Sequence, residues 1–349
     1  MAHQEAERNV FLEQLDYRHL KNMTDHTGML QFSVGPVPDP RSGYTLDDNA
    51  RALLVSLNME KGPERDHLCR IYMGFLEDAW QPDGSWHNLM LDGHYLPAMD
   101  SQDSRGRAFL ACCCAALDES DNISSWGKLM LRRTLPGMQD MRCPRSMAYV
   151  LLGLSRLILR TEVERSCREL AVKFGEALLS MHCQNSAPGW LWYEDRLTYC
   201  NGIMPQSLLA FYRATGDSRA LQVGKESLGF LDENLFKKGY LSIVGNQAWW
   251  RRGEACSDYD QQPVDACSTA LAFAEAYLAT GQNAYRQKAY TAFRWYGGYN
   301  INSLPLYDPV SGGCCDALTP SGLNRNQGAE AILSLLISTR LINLLELTG

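Results

Sequence analysis

The feature that most constrains this chain is a plan repeated six times, in which a polar loop runs into a helix of small and apolar residues. The segments are DDNARALLVSL from Asp47, DSRGRAFLACCCAAL from Asp103, PRSMAYVLLGLSRLIL from Pro144, MPQSLLAFYRATG from Met204, PVDACSTALAFAEAYLATG from Pro263 and NQGAEAILSLLISTRLI from Asn326. Their starts are 56, 41, 60, 59 and 63 residues apart. Few charges follow the first turn of any of them, and a helix apolar nearly all round is a buried one. Between them lie amphipathic stretches with Glu, Lys and Arg on one face, near 6–22, 63–80, 121–138, 162–183, 217–233 and 282–297. Twelve helices alternating outer and inner predict an all-α fold, a closed (α/α)6 toroid of six helical hairpins. Strand-like alternation is scarce; KGYLSIVG around Tyr240 is its best case and reads as a short hairpin. With no linker or low-complexity segment, residues 1–349 read as one domain.

The connections alternate in length. Turns from inner to outer helix are short, as in ATGD at 214–217 and ATGQ at 279–282. Connections from outer to inner helix are long, about 24–47, 81–103, 184–203, 234–262 and 298–325; only the third, 139–143, is short. Loops above roughly 12–15 residues in a compact domain usually carry function. All of these leave the same end of the toroid, so that end is the expected site.

Aromatic residues crowd the same loops: Trp86, Trp190, Trp192, Trp249 and Trp250, with Tyr44, Tyr95, Tyr193, Tyr199, Tyr240 and Tyr259. Sugars present flat C–H faces and hydroxyl edges, and aromatic platforms beside carboxylates and amides suit them. Any one ring equally well pins its loop to the body. Acids gather there too: Asp47, Asp48, Asp100, Asp103, Glu194, Asp195, Glu254, Asp258 and Asp260, with Asp265 and Glu330 in the first turns of the fifth and sixth inner helices. Singly, Asp47, Asp103 and Asp265 fit as caps or first-turn acids that favour a helix N-terminus. Gathered at one cavity they point to function. Arg51, Arg107 and Arg145 stand in the first turns of inner helices one to three, where they either neutralise these acids or bind substrate. Asn49, Asn201, Gln206, Gln262, Asn324, Asn326 and Gln327 add amides suited to hydroxyls, and His87 and His94 lie in the second long loop.

Several classes are disfavoured. The net charge of −7 argues against a nucleic-acid partner. No stretch of 18 uncharged apolar residues suggests a membrane span. No P-loop, GxGxxG, HExxH or GxSxG occurs, and the twelve cysteines form no CxxC pair, so reduced thiols and no metal or other cofactor are expected. The opening MAHQEAERNVFLEQL carries charges where a signal peptide needs an apolar core, which predicts a cytoplasmic protein.

Five blocks carry a resemblance. Gly43-Tyr44-Thr45-Leu46-Asp47-Asp48-Asn49-Ala50-Arg51-Ala52-Leu53 resembles the GYxTDDNARAL segment of bacterial six-hairpin glycosidase-like domains. Thr24 to Gln31 is similar to their TDxTGxxQ, Asp103 to Ala108 to their DxxGRA, and Trp192 to Tyr199 to their W-F-E-D-x-L-x-Y. Tyr307 to Gly313 with Asn324 to Glu330 resembles their closing TGG…NxNxGAE. Where those domains lead one to expect an acid, before Asn201, this chain has Cys200. The resemblance implies a six-hairpin fold and an oligosaccharide substrate, mannosides included. Because such domains also occur fused to glycosyltransferases, the resemblance further implies a glycosyltransferase as the protein partner to look for; the sequence itself leaves a homo-oligomer open.

The combined expectation is a glycoside hydrolase in which one carboxyl protonates the glycosidic oxygen and a second activates water or attacks the anomeric carbon. The catalytic candidates are Asp48, Asp103, Glu194, Asp195 and Asp265, with Asp103 and Asp195 favoured as the working pair and Asp48 and Arg107 holding the sugar. The adjacent pairs Asp47–Asp48 and Glu194–Asp195 are expected to raise a carboxyl pKa. Expected substrate contacts are Asp47, Asn49, Arg51, Trp86, His87, Arg107, Arg145, Trp192, Tyr199, Asn201, Gln262, Asn326, Gln327 and Glu330. The alternatives are a carbohydrate-binding or glycosyltransferase-partner protein without activity, and a sugar epimerase or isomerase, which the lack of histidines at inner-helix starts disfavours.

Overall fold

A computed structural model describes residues 15–347. Its helices are α1 (Arg18–Asn22), α2 (Leu46–Leu57), α3 (Pro63–Asp78), α4 (Gln102–Ala116), α5 (Asp121–Thr134), α6 (Pro144–Arg160), α7 (Arg165–Asn185), α8 (Ile203–Thr215), α9 (Ser218–Leu235), α10 (Pro263–Thr280), α11 (Asn283–Phe293) and α12 (Ala329–Leu347). The outer helix expected near 6–22 lies partly outside the described residues; α1 is its described end.

The even-numbered helices form the inner ring. Each packs on the next, and α12 returns onto α2, which closes the toroid. The outer helices α3, α5, α7, α9 and α11 each pack on the inner helix before them. The apolar segments explain the layering. Helix α6 buries Met147, Val150, Leu151 and Leu154 along with its small residues, so it is covered on most sides. Outer α5 buries Ser124 and a single stripe of Ile123, Gly127, Met130 and Thr134, at the three- and four-residue spacing of one helix face. Each large apolar side chain fully buried in this way contributes roughly 1.5–3 kcal/mol. The short turns end in glycines that adopt the left-handed conformation, Gly216 at φ 78° after α8 and Gly281 at φ 69° after α10.

Two boundaries differ from expectation. Helix α12 starts at Ala329 and not at Asn326, because Asn324, Asn326 and Gln327 are held in a loop by their own backbone and side-chain bonds. KGYLSIVG forms no hairpin: residues 240–245 are irregular, and the strand that pairs in this loop is Trp250–Arg251.

The connections from outer to inner helix meet at one end and are stitched into a ring. Tyr44–Thr45 of the first pairs with Leu89–Leu91 of the second. The Gln102 side chain accepts from the Arg142 and Cys143 amides of the third. Arg145, just beyond the third, binds Glu194 of the fourth. Arg196–Leu197 of the fourth pairs with Trp250–Arg251 of the fifth. Gln261 bridges to Leu318 of the sixth, and the Ala329 amide donates to Gln31 of the first. Among the described residues, no helix is long and apolar enough to cross a membrane.

Candidate functional site

The acids at the inner-helix starts are not caps. Thr45 caps α2, its hydroxyl accepting from the Asp48 amide, and Ser101 caps α4, accepting from the Ser104 amide. Asp47, Asp48 and Asp103 are thereby released to bond elsewhere. Gln262 holds the N-cap position of α10 without a side-chain cap bond, and its carbonyl accepts from the Asp265 amide.

Three arginines tie the acids together. Arg51 donates to Asp48 at 3.1 Å and to Glu330 of α12 at 2.7 Å, and lies 3.3 Å from Asp47. Arg107 donates to Asp47 at 2.8 Å, directs its other terminal nitrogen to Cys200 Sγ at 3.6 Å, and sits 4.6 Å from the centre of the Tyr149 ring. Arg145 donates to Glu194 at 2.8 Å, to the Tyr199 carbonyl at 2.7 Å and to the Asn201 side chain at 3.3 Å. Asp103 accepts from the Ser146 and Tyr199 hydroxyls, and Asp265 accepts from the Cys200 amide at 2.6 Å. One network therefore joins α2, α4, α6, α10 and α12 to the loop that enters α8. Asp48, Asp103 and Asp265 are buried in it, while Asp47, Glu194 and Glu330 keep 23, 28 and 41% of their side chains exposed, so the network is open to solvent on one side.

The carboxyls differ in proton affinity. Burial pushes Asp265 up to about 8; the Cys200 hydrogen bond, Arg145 and Arg107 oppose this, and Glu330 adds to it. Burial also pushes Asp48 up to about 7 against the pull of Arg51, and Asp47 contributes as the adjacent-pair expectation required. Burial alone would raise Asp103 as well. There Arg107, the Ser146 and Tyr199 hydroxyls and Arg145 outweigh it and hold the carboxyl below the usual carboxylate range. Burial raises the Cys200 thiol to about 11, so it is a neutral thiol rather than a nucleophile. The Cys200 backbone sits at φ 47°, in the left-handed region.

Other expected residues lie elsewhere. Asp195 is exposed and pairs with its neighbour Arg196 at 2.8 Å, which lowers its pKa where the adjacent pair was expected to raise one; Glu194 turns instead to Arg145. Trp86 is buried and donates its indole N–H to the Leu76 carbonyl, so it is a core residue and not a sugar platform. Trp192 is fully buried against Tyr193 and Phe230. Trp190 is buried too, between Phe230 and Trp250. The Asn49 amide is spent on Met29 and Thr45, where Gly28 is needed because a Cβ would lie 2.6 Å from Asn49 Oδ1. Asn326 is an exposed loop residue that accepts from the Gly35 amide. Gln327 is buried and binds Ser311 and Asp308. His87 pairs with Asp100 at 2.8 Å and packs on Tyr95 at the rim. Asn201 also closes its own turn by bonding Thr198.

The sequence reading missed Thr45, Ser146 and Tyr149. The first two were detectable: Thr45 stands two residues before Asp47 as a capping hydroxyl would, and Ser146 follows Arg145 in a first turn. All twelve cysteines are unbridged; seven are buried, while Cys183 and Cys256 are exposed. Among the described residues no group of three His, Cys, Asp or Glu side chains is placed to hold a metal ion.

No protein-family model matches the chain, and no curated protein does. Solved structures do. A sugar epimerase from a ruminal bacterium superposes with a TM-score of 0.73 at 11% identity, over 97% of this chain and 98% of its own. A cellobiose 2-epimerase from Bacillus thermoamylovorans gives 0.72 at 10%, over 99 and 100%. A family 76 α-mannanase from Bacteroides thetaiotaomicron gives 0.67 at 15%, over 98 and 97%. The expected architecture is thus the one observed: the chain is an (α/α)6 toroid of six helical hairpins, the glycosidase-like fold that these epimerases and mannanase share.

Proposed function

We propose that the protein is a carbohydrate-active enzyme, a glycoside hydrolase in which Asp265 is the general acid and Asp103 the general base. The observation that carries this reading is a pair of carboxyls with opposite proton affinities on neighbouring anchors. Asp103 is held by the Tyr199 hydroxyl and stays ionised, while Asp265 is held by the Cys200 amide and keeps its proton near neutral pH. Hydrolysis of a glycosidic bond needs that division of labour. Asp265 gives its proton to the glycosidic oxygen as the C–O bond breaks. Asp103 takes a proton from the water that attacks the anomeric carbon. The partly exposed Asp47, Glu194 and Glu330, with the arginines that bind them, would receive sugar hydroxyls.

Asp48 is a weaker candidate for the acid. Its direct bond to Arg51 favours the ionised form, whereas Asp265 has no arginine within hydrogen-bonding distance. Asp195 drops out of the working pair because its carboxylate is exposed and engaged by Arg196. Among the described residues no histidine joins the network, which favours a carboxyl mechanism over histidine-based epimerisation.

The test is incubation of the protein with α- and β-linked oligosaccharides, α-mannosides included, followed by product analysis. New reducing ends support the reading. A changed sugar with every linkage intact would replace it with epimerase or isomerase chemistry, and saturable binding with no product would make the protein a carbohydrate-binding one.

A further inference from the structure

A cavity of about 530 Å³ opens beside the acid network, between the first two long loops. This is within the roughly 300–1,000 Å³ of ligand clefts. Thr45 lines it and also donates its hydroxyl to Asp48 at 2.7 Å, so the cavity and the network share a wall residue at the start of α2. Its two walls carry Phe32 and Met99, 54 and 53% exposed. Neither wall is loose. The Phe32 amide donates to Ser42, and its carbonyl accepts from Asp39. The Met99 amide donates to Leu96, its carbonyl accepts from the Asn88 side chain, and Asp100 fixes the Asn88 amide.

An exposed aromatic ring on a backbone bonded at both its N–H and its C=O is preorganised for a ligand face. Between the apolar walls stand Gln31, Asn88 and the ion pair of Asp39 with Arg41, whose charges cancel. Flat apolar faces edged by neutral amides and a charge-balanced pair match the alternating C–H faces and hydroxyl edges of an uncharged sugar. They give no net attraction for an anion.

We propose that this cavity is a distal subsite that holds further units of a neutral oligosaccharide whose reacting bond lies over Asp103 and Asp265. The proposal rests on the function given above for that network. It makes the enzyme prefer longer chains, with Phe32 stacking on one unit and Met99 closing the other side.

The test is calorimetric titration of the whole protein with a length series of a neutral oligosaccharide, from two to six units, in parent, Phe32→Ala and Met99→Ala proteins, alongside hydrolysis of the same series. Both side chains are exposed, so both variants fold. The expected result is affinity that rises with length in the parent, with the ratio of longest to shortest falling at least about fivefold in Phe32→Ala. An unchanged ratio in both variants, or no binding of any length, overturns the proposal. Length-dependent binding through Phe32 without hydrolysis supports the subsite and removes the hydrolytic assignment, so the two failures are told apart. Binding of an acidic oligosaccharide in preference to the neutral one overturns the neutral-ligand claim.

Discussion

The Cys200 amide donates to the Asp265 carboxylate at 2.6 Å, across 65 residues of chain. This bond is the main polar anchor of a buried carboxyl whose proton is retained to about pH 8. An unfolded chain releases that proton near the ordinary aspartate value, and the folded chain does so only near 8. Between those values the native state binds the extra proton, so this group's contribution to stability falls as pH rises. Urea unfolding of the parent from pH 5 to 8 should therefore show a decline that is smaller in Asp265→Asn. On the activity side, kcat/KM of the parent should fall above about pH 8 as the acid is lost.

Tyr199→Phe removes a hydroxyl that helps keep Asp103 ionised. A hydrogen bond to a charged acceptor is worth roughly 1.5–3 kcal/mol, and one pKa unit about 1.4. The acid limb of the pH–rate profile should move up by about one unit while the alkaline limb stays. An unmoved acid limb would mean that Asp103 is not the base.

Rings at the mouth divide by burial. Trp192→Ala should cost about 3–5 kcal/mol in urea unfolding, since it empties a fully buried site beside Phe230. Trp249→Ala, at a residue 39% exposed, should stay within about 0.5 kcal/mol. Equal costs would contradict the assignment of Trp192 to the core.

Gly202 lets the loop carrying Tyr199 and Cys200 lie against α10. A Cβ there would meet the Ser268 carbonyl oxygen at 2.1 Å. Gly202→Ala should therefore push that loop off α10, lengthen the Cys200–Asp265 bond and lower kcat at least about tenfold, with a smaller change in KM. Tyrosine fluorescence and unfolding would separate this from global collapse, and unchanged kcat would show that the anchor is dispensable.

The toroid was legible because inner helices must be apolar nearly all round, and that leaves a compositional trace such as LLGLSRLIL in α6. The ring of acids was legible because Asp47, Asp103, Asp265 and Glu330 all stand in first turns, where helical geometry aims side chains at one end. Loop residues were not. Glu194 and Asp195 are adjacent and chemically alike, yet one turns in to Arg145 and the other out to Arg196, and no sequence period tells them apart. Trp86 and Trp192 failed for the same reason: an indole in a long loop reads equally as a platform or as a plug, and here both are plugs. The proton affinities also needed coordinates, since Asp103 and Asp265 both stand in the first turn of an inner helix, and what separates them is the set of hydroxyls, arginines and acids around each.

The most direct measurement is the hydrolysis rate of a responsive oligosaccharide by Asp103→Asn and Asp265→Asn, each with its fold verified by circular dichroism and by retained oligosaccharide binding. The account predicts that both lose at least about a hundredfold in kcat. The acid variant should recover on a substrate whose leaving group needs no protonation, such as a dinitrophenyl glycoside, and the base variant should not. Hydrolysis by either variant at the parent rate would contradict the pairing of these two carboxyls.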